Sequence, residues 1–372
     1  MIKSFDWSTG TFVVAYHLAL LIGLPFYFVY AKPGVSMIVA SIILYVLTIL
    51  GVTTGYHRYY SHRTYAIKKP AEAVLLFFAT MAFQGSALKW SHAHRKHHAF
   101  TDTDEDPHSI EKGFWYAHVL WVLKKQKPIE ERYVKDLLKN PLVVWQHKYA
   151  VPLMIGSNVL VCGLIGLLLN DYLGAFVLPL WIRILVSNHV AWSVNSVSHT
   201  WGERTYSREE SAVDNYILAF LTLGEGGYHN YHHVFPSDFR NGARWYHFDP
   251  GKWTIWCLER LGLAHSLKRF TKYRTRIQLL KEDTKLLLQK LGEYAQAKRV
   301  ELEKTVQNLR ERLETKLHSL NAITGELRRL KRERAERTAL KTVRRELKET
   351  KQSMRQDWKM WLRLCGTILE AS

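Results

Sequence analysis

Four long apolar runs dominate the first half of the chain: Thr11 to Tyr30, Val35 to Thr53, Val151 to Leu169 and Tyr172 to Ser193. Each is close to the roughly 20 residues a helix needs to cross a bilayer. Ala31-Lys32-Pro33-Gly34 separates the first two and Asn170-Asp171 the second two, both turn signals, so the pattern predicts two transmembrane hairpins. Residues 71–88 are also apolar but are interrupted by Glu72, Gln84 and Ser86, and are expected to form a helix lying in or under the membrane interface. Beyond residue 280 the pattern changes to sparse apolar positions four and three apart: Leu302, Val306, Leu309, Leu313, Lys316, Leu320, Ile323, Leu327 and Leu330. With its one polar exception, that spacing predicts a coiled-coil seam.

The elements add up to an all-α integral membrane protein. Residues 1–280 form the membrane domain, with spans near 11–30, 35–53, 151–169 and 172–193 and a helical cap made of 54–150 and 194–280. Residues 281–372 form a helical tail. No small-residue cleavage site follows the first apolar run, which is therefore read as a retained span.

Charge orients this arrangement. Lys and Arg number 52 against 33 Asp and Glu, a net charge of +19, and +9 of it falls in residues 281–372. The segment between the hairpins carries Lys68, Lys69, Lys89, Arg95, Lys96, Lys124, Lys125, Lys127 and Arg132, whereas the two hairpin turns hold a single lysine. Positive residues stay cytoplasmic, which places the cap and both chain ends in the cytoplasm. No nucleic-acid module accompanies the basic charge, so it points to membrane lipids or a phosphate-bearing substrate. The cysteines, at 162, 257 and 365, form no C-x-x-C pair and are expected to be reduced.

Of 18 histidines, nine are clustered: His57 and His62 in GYHRYYSHRTY, His94, His97 and His98 in SHAHRKHHAF, His199 in VNSVSHTW, and His229, His232 and His233 in GEGGYHNYHHVFP. All lie just outside a span on one side of the membrane. In H-x-x-H-H, spacings of three and four put the imidazoles on one helical face, able to converge on a common point. His57 and His62, five apart, would diverge by roughly 140° on a straight α-helix, so they either bend at a helix end or serve different metals. Imidazole ligation without cysteine suits iron, copper or zinc, and nine ligands suit two ions. No H-E-x-x-H pattern supplies the general base of a zinc hydrolase, which favours iron with oxygen. The glycine pair Gly226-Gly227 is expected to let the backbone before His229 approach the site closely. Asp106 and Asn230 are expected to orient imidazole N–H groups. The remaining histidines, His17, His118 and His189 among them, read as ordinary packing.

HRYYSH at 57–62, HRKHH at 94–98 followed by DTDEDPHS, NSVSH at 195–199 and GEGGYHNYHHVFP at 224–236 resemble the membrane-bound fatty-acid desaturases of the stearoyl-CoA (delta-9 acyl-CoA) type, in a bacterial-like form with an added tail. The resemblance runs from about residue 10 to 268. It implies two iron ions held by His57, His62, His94, His97, His98, His199, His229, His232 and His233, with Asn195 near one of them through a water. It implies desaturation of a saturated long-chain acyl-CoA, or an acyl-lipid, with O2 as co-substrate. Gln84, Trp90 and Trp192 would shape the acyl channel, and Lys124 and Lys125 would meet the carrier phosphates. His92 stands where the family commonly has an arginine, and Gln126 where it has a second basic residue. No HPGG motif is present, so electrons are expected from a separate protein such as ferredoxin, rubredoxin or cytochrome b5 with its reductase. A fatty-acyl or alkane hydroxylase is the nearest rival. An inactive membrane scaffold presenting the tail is the non-enzymatic one. In either case the tail's stripe is expected to fold back on the cytoplasmic domain, or to serve self-association or docking of an electron donor.

Overall fold

The four apolar runs are helices in the computed structural model, which describes residues 5–292, 294 and 296–370. They are α1 (Trp7–Tyr30), α2 (Val35–Ser61), α5 (Ala150–Leu169) and α6 (Tyr172–His199), each long and apolar enough to cross a membrane. Asp6 starts α1 by accepting from the backbone N–H groups of Ser8 and Thr9, each at 3.1 Å. Asn170 ends α5 in the left-handed conformation, and Asp171 Oδ1 then accepts from Gly174 N at 2.7 Å to begin α6. Within the apolar layer Arg183 of α6 is buried; its guanidinium bonds the carbonyls of Pro179 and Met81 and the side chain of Asn158 on α5. A charge there is tolerated only because its donors are satisfied, and the satisfied set ties two spans to the end of a third helix.

Two spans outrun their expected ends. α2 continues past Thr53 to Ser61, and α6 continues past Ser193 to His199. The added segment Gly51–Ser61 is a π-helix, almost entirely buried although its residues are polar. It packs on α3 (Lys69–Met81) so closely that a Cβ on Gly51 would stand 2.5 Å from Ala79 N. The interfacial segment is two helices, not one. α3 stops at Met81, and after a turn Ser86 caps α4 (Ala87–Ala99) by accepting from Lys89 N at 3.2 Å. With 13 residues, α3 reaches only about 20 Å and is too short to cross.

The cap adds short helices, of which α7 (Tyr216–Leu221), α8 (His229–Val234) and α9 (Pro250–Arg260) matter below. Its only sheet among the described residues pairs Ala66–Ile67 with Ala264–His265, antiparallel.

The chain divides into compact units of residues 1–269 and 270–372. The second unit comprises α10 (Lys272–Leu291), α11 (Gln296–Arg332) and α12 (Arg337–Glu370). Leu280, Leu287 and Leu291 share one core with Val306, Leu309, Leu313, Leu317 and Leu320, and with Met354, Trp361 and Ile368. The heptad stripe is thus covered by the chain's own neighbouring helices. Leu317, not Lys316, faces that core, because Lys316 Nζ turns 2.6 Å from Asp357, a buried carboxylate on α12 that also takes Arg312.

Candidate metal centre

The π-helix brings His57 and His62 together. Its bonds run from residue i to i+5, including His62 N to His57 O at 3.1 Å, so side chains five apart stand on the same side. The alternative of a bend at the helix end is also met in part, since His62 is the residue that ends the helix. Both imidazoles enter one nest with His94, His98 and His232, and a second nest holds His97, His199, His229 and His233.

Each H-x-x-H-H helix therefore straddles the two nests instead of converging on one point. His94 and His98, a full turn apart on α4, go to the first, and His97 goes to the second. On α8 the assignment is mirrored: His229 and His233 go to the second nest and His232 to the first. The residue at i+3 is next to that at i+4 yet rotated about 100° from it, enough to aim at a different point.

The ring nitrogens are crowded. Nε2 atoms are separated by 2.8 Å for His62 and His94, 2.9 Å for His57 and His232, and 3.0 Å for His98 and His232. In the second nest the separations are 3.0 Å for His199 and His229, 3.1 Å for His229 and His233, and 3.3 Å for His97 and His233. The opposite edges of four rings identify the tautomers. Nδ1 of His57 is 2.5 Å from Glu225 Oε2, that of His97 2.9 Å from Asp106 Oδ2, and that of His233 2.8 Å from Glu210 Oε2. His199 Nδ1 donates to Ser211 Oγ at 2.7 Å, whose own proton goes to Asp102 Oδ1 at 2.5 Å. Carboxylates only accept, so these Nδ1 atoms carry the protons and their Nε2 atoms present lone pairs. Between His97 and His233 two lone pairs face each other with no proton to share.

Electrostatics agree. Burial first, and then the cost of a second proton among crowded imidazoles, hold His62, His94, His98, His229, His232 and His233 well below the ordinary imidazole range. Burial works to raise the Glu225 carboxyl, but Arg58 and His57 overcome it and hold it at about 2. Burial likewise opposes ionisation of Asp106, and His97 and His108 more than offset it. Neutral imidazoles backed by anions are the state that binds a cation.

The spacing also fits coordination to a metal ion. Nitrogens on an ion at about 2.1 Å lie about 3.0 Å apart at right angles and about 3.4 Å apart at tetrahedral angles. The observed separations of 2.8 to 3.3 Å lie close to this range, and five imidazoles in one nest exceed a tetrahedral set. Buried imidazole nitrogens at this spacing form two adjoining groups that could each hold a metal ion.

Of the other expected residues, Asn195 lies half-buried one turn before His199 on α6. Trp90 stacks on His94 at 4.9 Å, and its Nε1 donates to Gln84 Oε1 at 3.2 Å. Gln84 in turn reaches Ser187 O on α6 at 3.4 Å. Trp192 is buried against His189, with ring centroids 5.0 Å apart. Lys124 lies over the Tyr116 ring at 4.6 Å, and Lys125 is exposed. His92 is buried, its Nε2 accepting from Glu130 N at 3.0 Å.

Asn230 does not orient an imidazole. Its amide accepts from Tyr206 N and Ser207 N and donates to Ser207 O and Ala212 O, fixing the loop that carries Glu210 and Ser211. Sequence reasoning missed Glu225, Glu210, Ser211, Asp102 and His108, the last buried beside Asp106. Glu225 had a signal, a lone carboxylate inside GEGGYH. The glycines do permit close approach: a Cβ on Gly226 would lie 2.9 Å from Ser198 Oγ, and one on Gly227 2.3 Å from Ala219 Cβ. His17, His189 and His118 form a hydrogen-bonded row, 2.9 and 3.0 Å between rings, that ends on Ser196 Oγ at 2.9 Å.

Apolar helices crossing a bilayer under a two-nest polyhistidine centre define an integral membrane metalloprotein. The family model for fatty acid desaturase matches residues 33–257, and the chain belongs to the fatty acid desaturase family. It is 40% identical over 278 residues to the probable acyl-CoA desaturase of Schizosaccharomyces pombe, covering 73% of this chain and 58% of that one. Acyl-CoA desaturase 1 of Saccharomyces cerevisiae is 34% identical over 253 residues, covering 67% and 49%. Acyl-CoA Delta(11) desaturase of Trichoplusia ni is 40% identical over 235 residues, covering 60% and 65%. The chain thus spans between about half and two-thirds of the length of these relatives.

Proposed function

We propose that this chain is an oxygen-dependent acyl-CoA desaturase with two iron ions, one held by His57, His62, His94, His98 and His232, the other by His97, His199, His229 and His233 with Asn195 nearby through a water. The opposed lone pairs of His97 and His233 are the observation that carries the metal assignment. The names of the relatives support acyl-CoA as the substrate. Bound iron would activate oxygen to an oxidant strong enough for an unactivated C–H bond, which no side chain supplies. One O2, two electrons, two protons and the two hydrogens leaving the acyl chain give a cis double bond and two waters.

The protein's own residues hold and orient. Glu225, Asp106, Glu210 and the Ser211–Asp102 pair keep four imidazoles in one tautomer, so the ligand lone pairs need no reorganisation. Trp90, stacked on a ligand and bonded to Gln84, and Trp192 are suited to walling the chain beside the centre and excluding water. Lys124 and Lys125 are placed to meet carrier phosphates. The cap and both ends are assigned to the cytoplasm by the lysine and arginine distribution. Electrons come from a separate donor.

The position of the double bond is proposed as delta-9. The decisive experiment is expression in a desaturase-deficient host, with double-bond position read from derivatised fatty acids and iron measured on the purified protein. Hydroxylated products would replace this reading with the hydroxylase one, and absence of both products and iron would leave the scaffold.

A further inference from the structure

The cap also holds a cavity that none of the histidines of the two nests lines. This cavity, of about 360 Å³, is lined by Tyr206, Tyr216, Tyr228 and Tyr231, with Asp214 and Arg244 among its other walls. Tyr206 and Tyr231 meet edge to face at 5.1 Å, and Tyr216 and Tyr228 at 5.8 Å.

Asp214 is only 3% exposed. Its Oδ1 accepts from the backbone N–H groups of Asn230 at 2.9 Å and Tyr231 at 3.3 Å. Its Oδ2 has no hydrogen-bond partner among the described residues. Burial raises its carboxyl to about 7. A buried carboxylate ringed by aromatic faces is costly alone and is relieved by a cation, which both the charge and the ring quadrupoles attract. Arg244 lies at the exposed rim, one guanidinium nitrogen on Tyr246 Oη. Its other donors suit an anion.

The surroundings say where a ligand carrying both charges would come from. α7 begins at Tyr216, on the cavity wall, and exposes Ile217, Phe220 and Leu221. Its last carbonyl, Leu221 O, accepts from Tyr45 Oη on the membrane-spanning α2 at 2.5 Å. The apolar face of α7 is therefore against lipid, about one helical turn from the cavity. Trp245, 86% exposed beside Arg244, has the amphipathic ring that membrane interfaces favour.

We propose that this cavity binds the headgroup of a zwitterionic phospholipid, with the ammonium among the tyrosines on Asp214, the phosphate on Arg244 and the acyl chains along α7. A free phosphocholine has the same charges but lacks the chains.

Native mass spectrometry of the full-length protein, titrated with dihexanoylphosphatidylcholine, dihexanoylphosphatidylglycerol or phosphocholine, separates these sources. The expected result is phosphatidylcholine bound about tenfold more tightly than phosphatidylglycerol, with phosphocholine weaker than the lipid. Asp214→Asn keeps the backbone acceptor, removes the charge and should abolish the preference, with bound metal unchanged as the check on folding. Tyr216→Leu, on an exposed helix, should weaken it if the Asn variant does not fold. Arg244→Gln should weaken all three ligands. Equal binding of the two lipids, or an Asp214→Asn variant with wild-type preference, overturns the proposal. Phosphocholine binding as tightly as the lipid overturns the lipid source, and tighter capture of a lysine-rich peptide would make the cavity a protein socket instead.

Discussion

Glu225→Gln is a severe change despite its small size. The carboxylate accepts from Arg58 Nε at 3.0 Å, Arg58 Nη2 at 2.8 Å and Asn241 Nδ2 at 2.7 Å, and lies 2.5 Å from His57 Nδ1. Each oxygen accepts, so the new amide NH2 must oppose a donor whichever way it turns. It also leaves buried Arg58 with Asp249 as its remaining carboxylate partner. The carboxyl is depressed from 4.5 to about 2, which corresponds to about 3 kcal/mol in favour of the charged, paired form. Because the folded value is the lower one, this stability is fully present above pH 4.5 and is lost only as pH falls towards 2. The variant should melt about 5–10 °C lower at pH 7, measured on the metal-loaded protein in detergent. The difference from wild type should stay flat down to about pH 5. Metal affinity of the five-histidine nest should fall about 10- to 100-fold, since His57 loses the partner that fixes its tautomer. Equal melting at pH 7 would refute the reasoning, and a difference that closes already near pH 6 would assign the effect to a histidine.

Other perturbations separate the parts of the molecule. His97→Ala should lose metal from both nests and abolish desaturation together, because the helices carrying its neighbours also serve the other nest; full turnover in the variant would refute the ligand assignment. Trp192→Ala should slow turnover or alter chain-length preference in the product profile; unchanged products at an unchanged rate would return the ring to ordinary packing. Deleting 270–372 should leave metal content intact, because every ligand and ligand partner lies before residue 250. Asp357→Asn should lower the stability of the tail helices by about 1 kcal/mol in a melt followed by circular dichroism, since Lys316 and Arg312 lose their shared anion.

The spans and histidine boxes were legible because both signals are local: an apolar run has a length, and imidazoles at fixed spacing have a periodicity. The distribution of ligands between nests was not, since it depends on a π-helix that sequence spacing alone reads as a straight α-helix. The extension of α2 was hidden by its polarity, as GYHRYYS ends the apolar run while the backbone stays helical. Glu210 and Ser211 come from an irregular segment whose path is set by Asn230, so nothing in their own sequence marks them, and Asp102, though inside DTDEDPHS, reaches the site only through Ser211. Lys316 reads as a flaw in a heptad until Asp357, 41 residues on, is found beside it.

Because α4 and α8 each donate to both nests, the two sites share a ruler. The separation of the two nests follows from the roughly 100° step between adjacent residues of two helices, which backbone hydrogen bonds maintain. A change that widens or shifts one nest is therefore expected to disturb the other. On the proposed two-ion reading, filling one nest would order the helices that frame the other, so loading should be cooperative, and a half-filled protein should be scarcer than independent sites would allow.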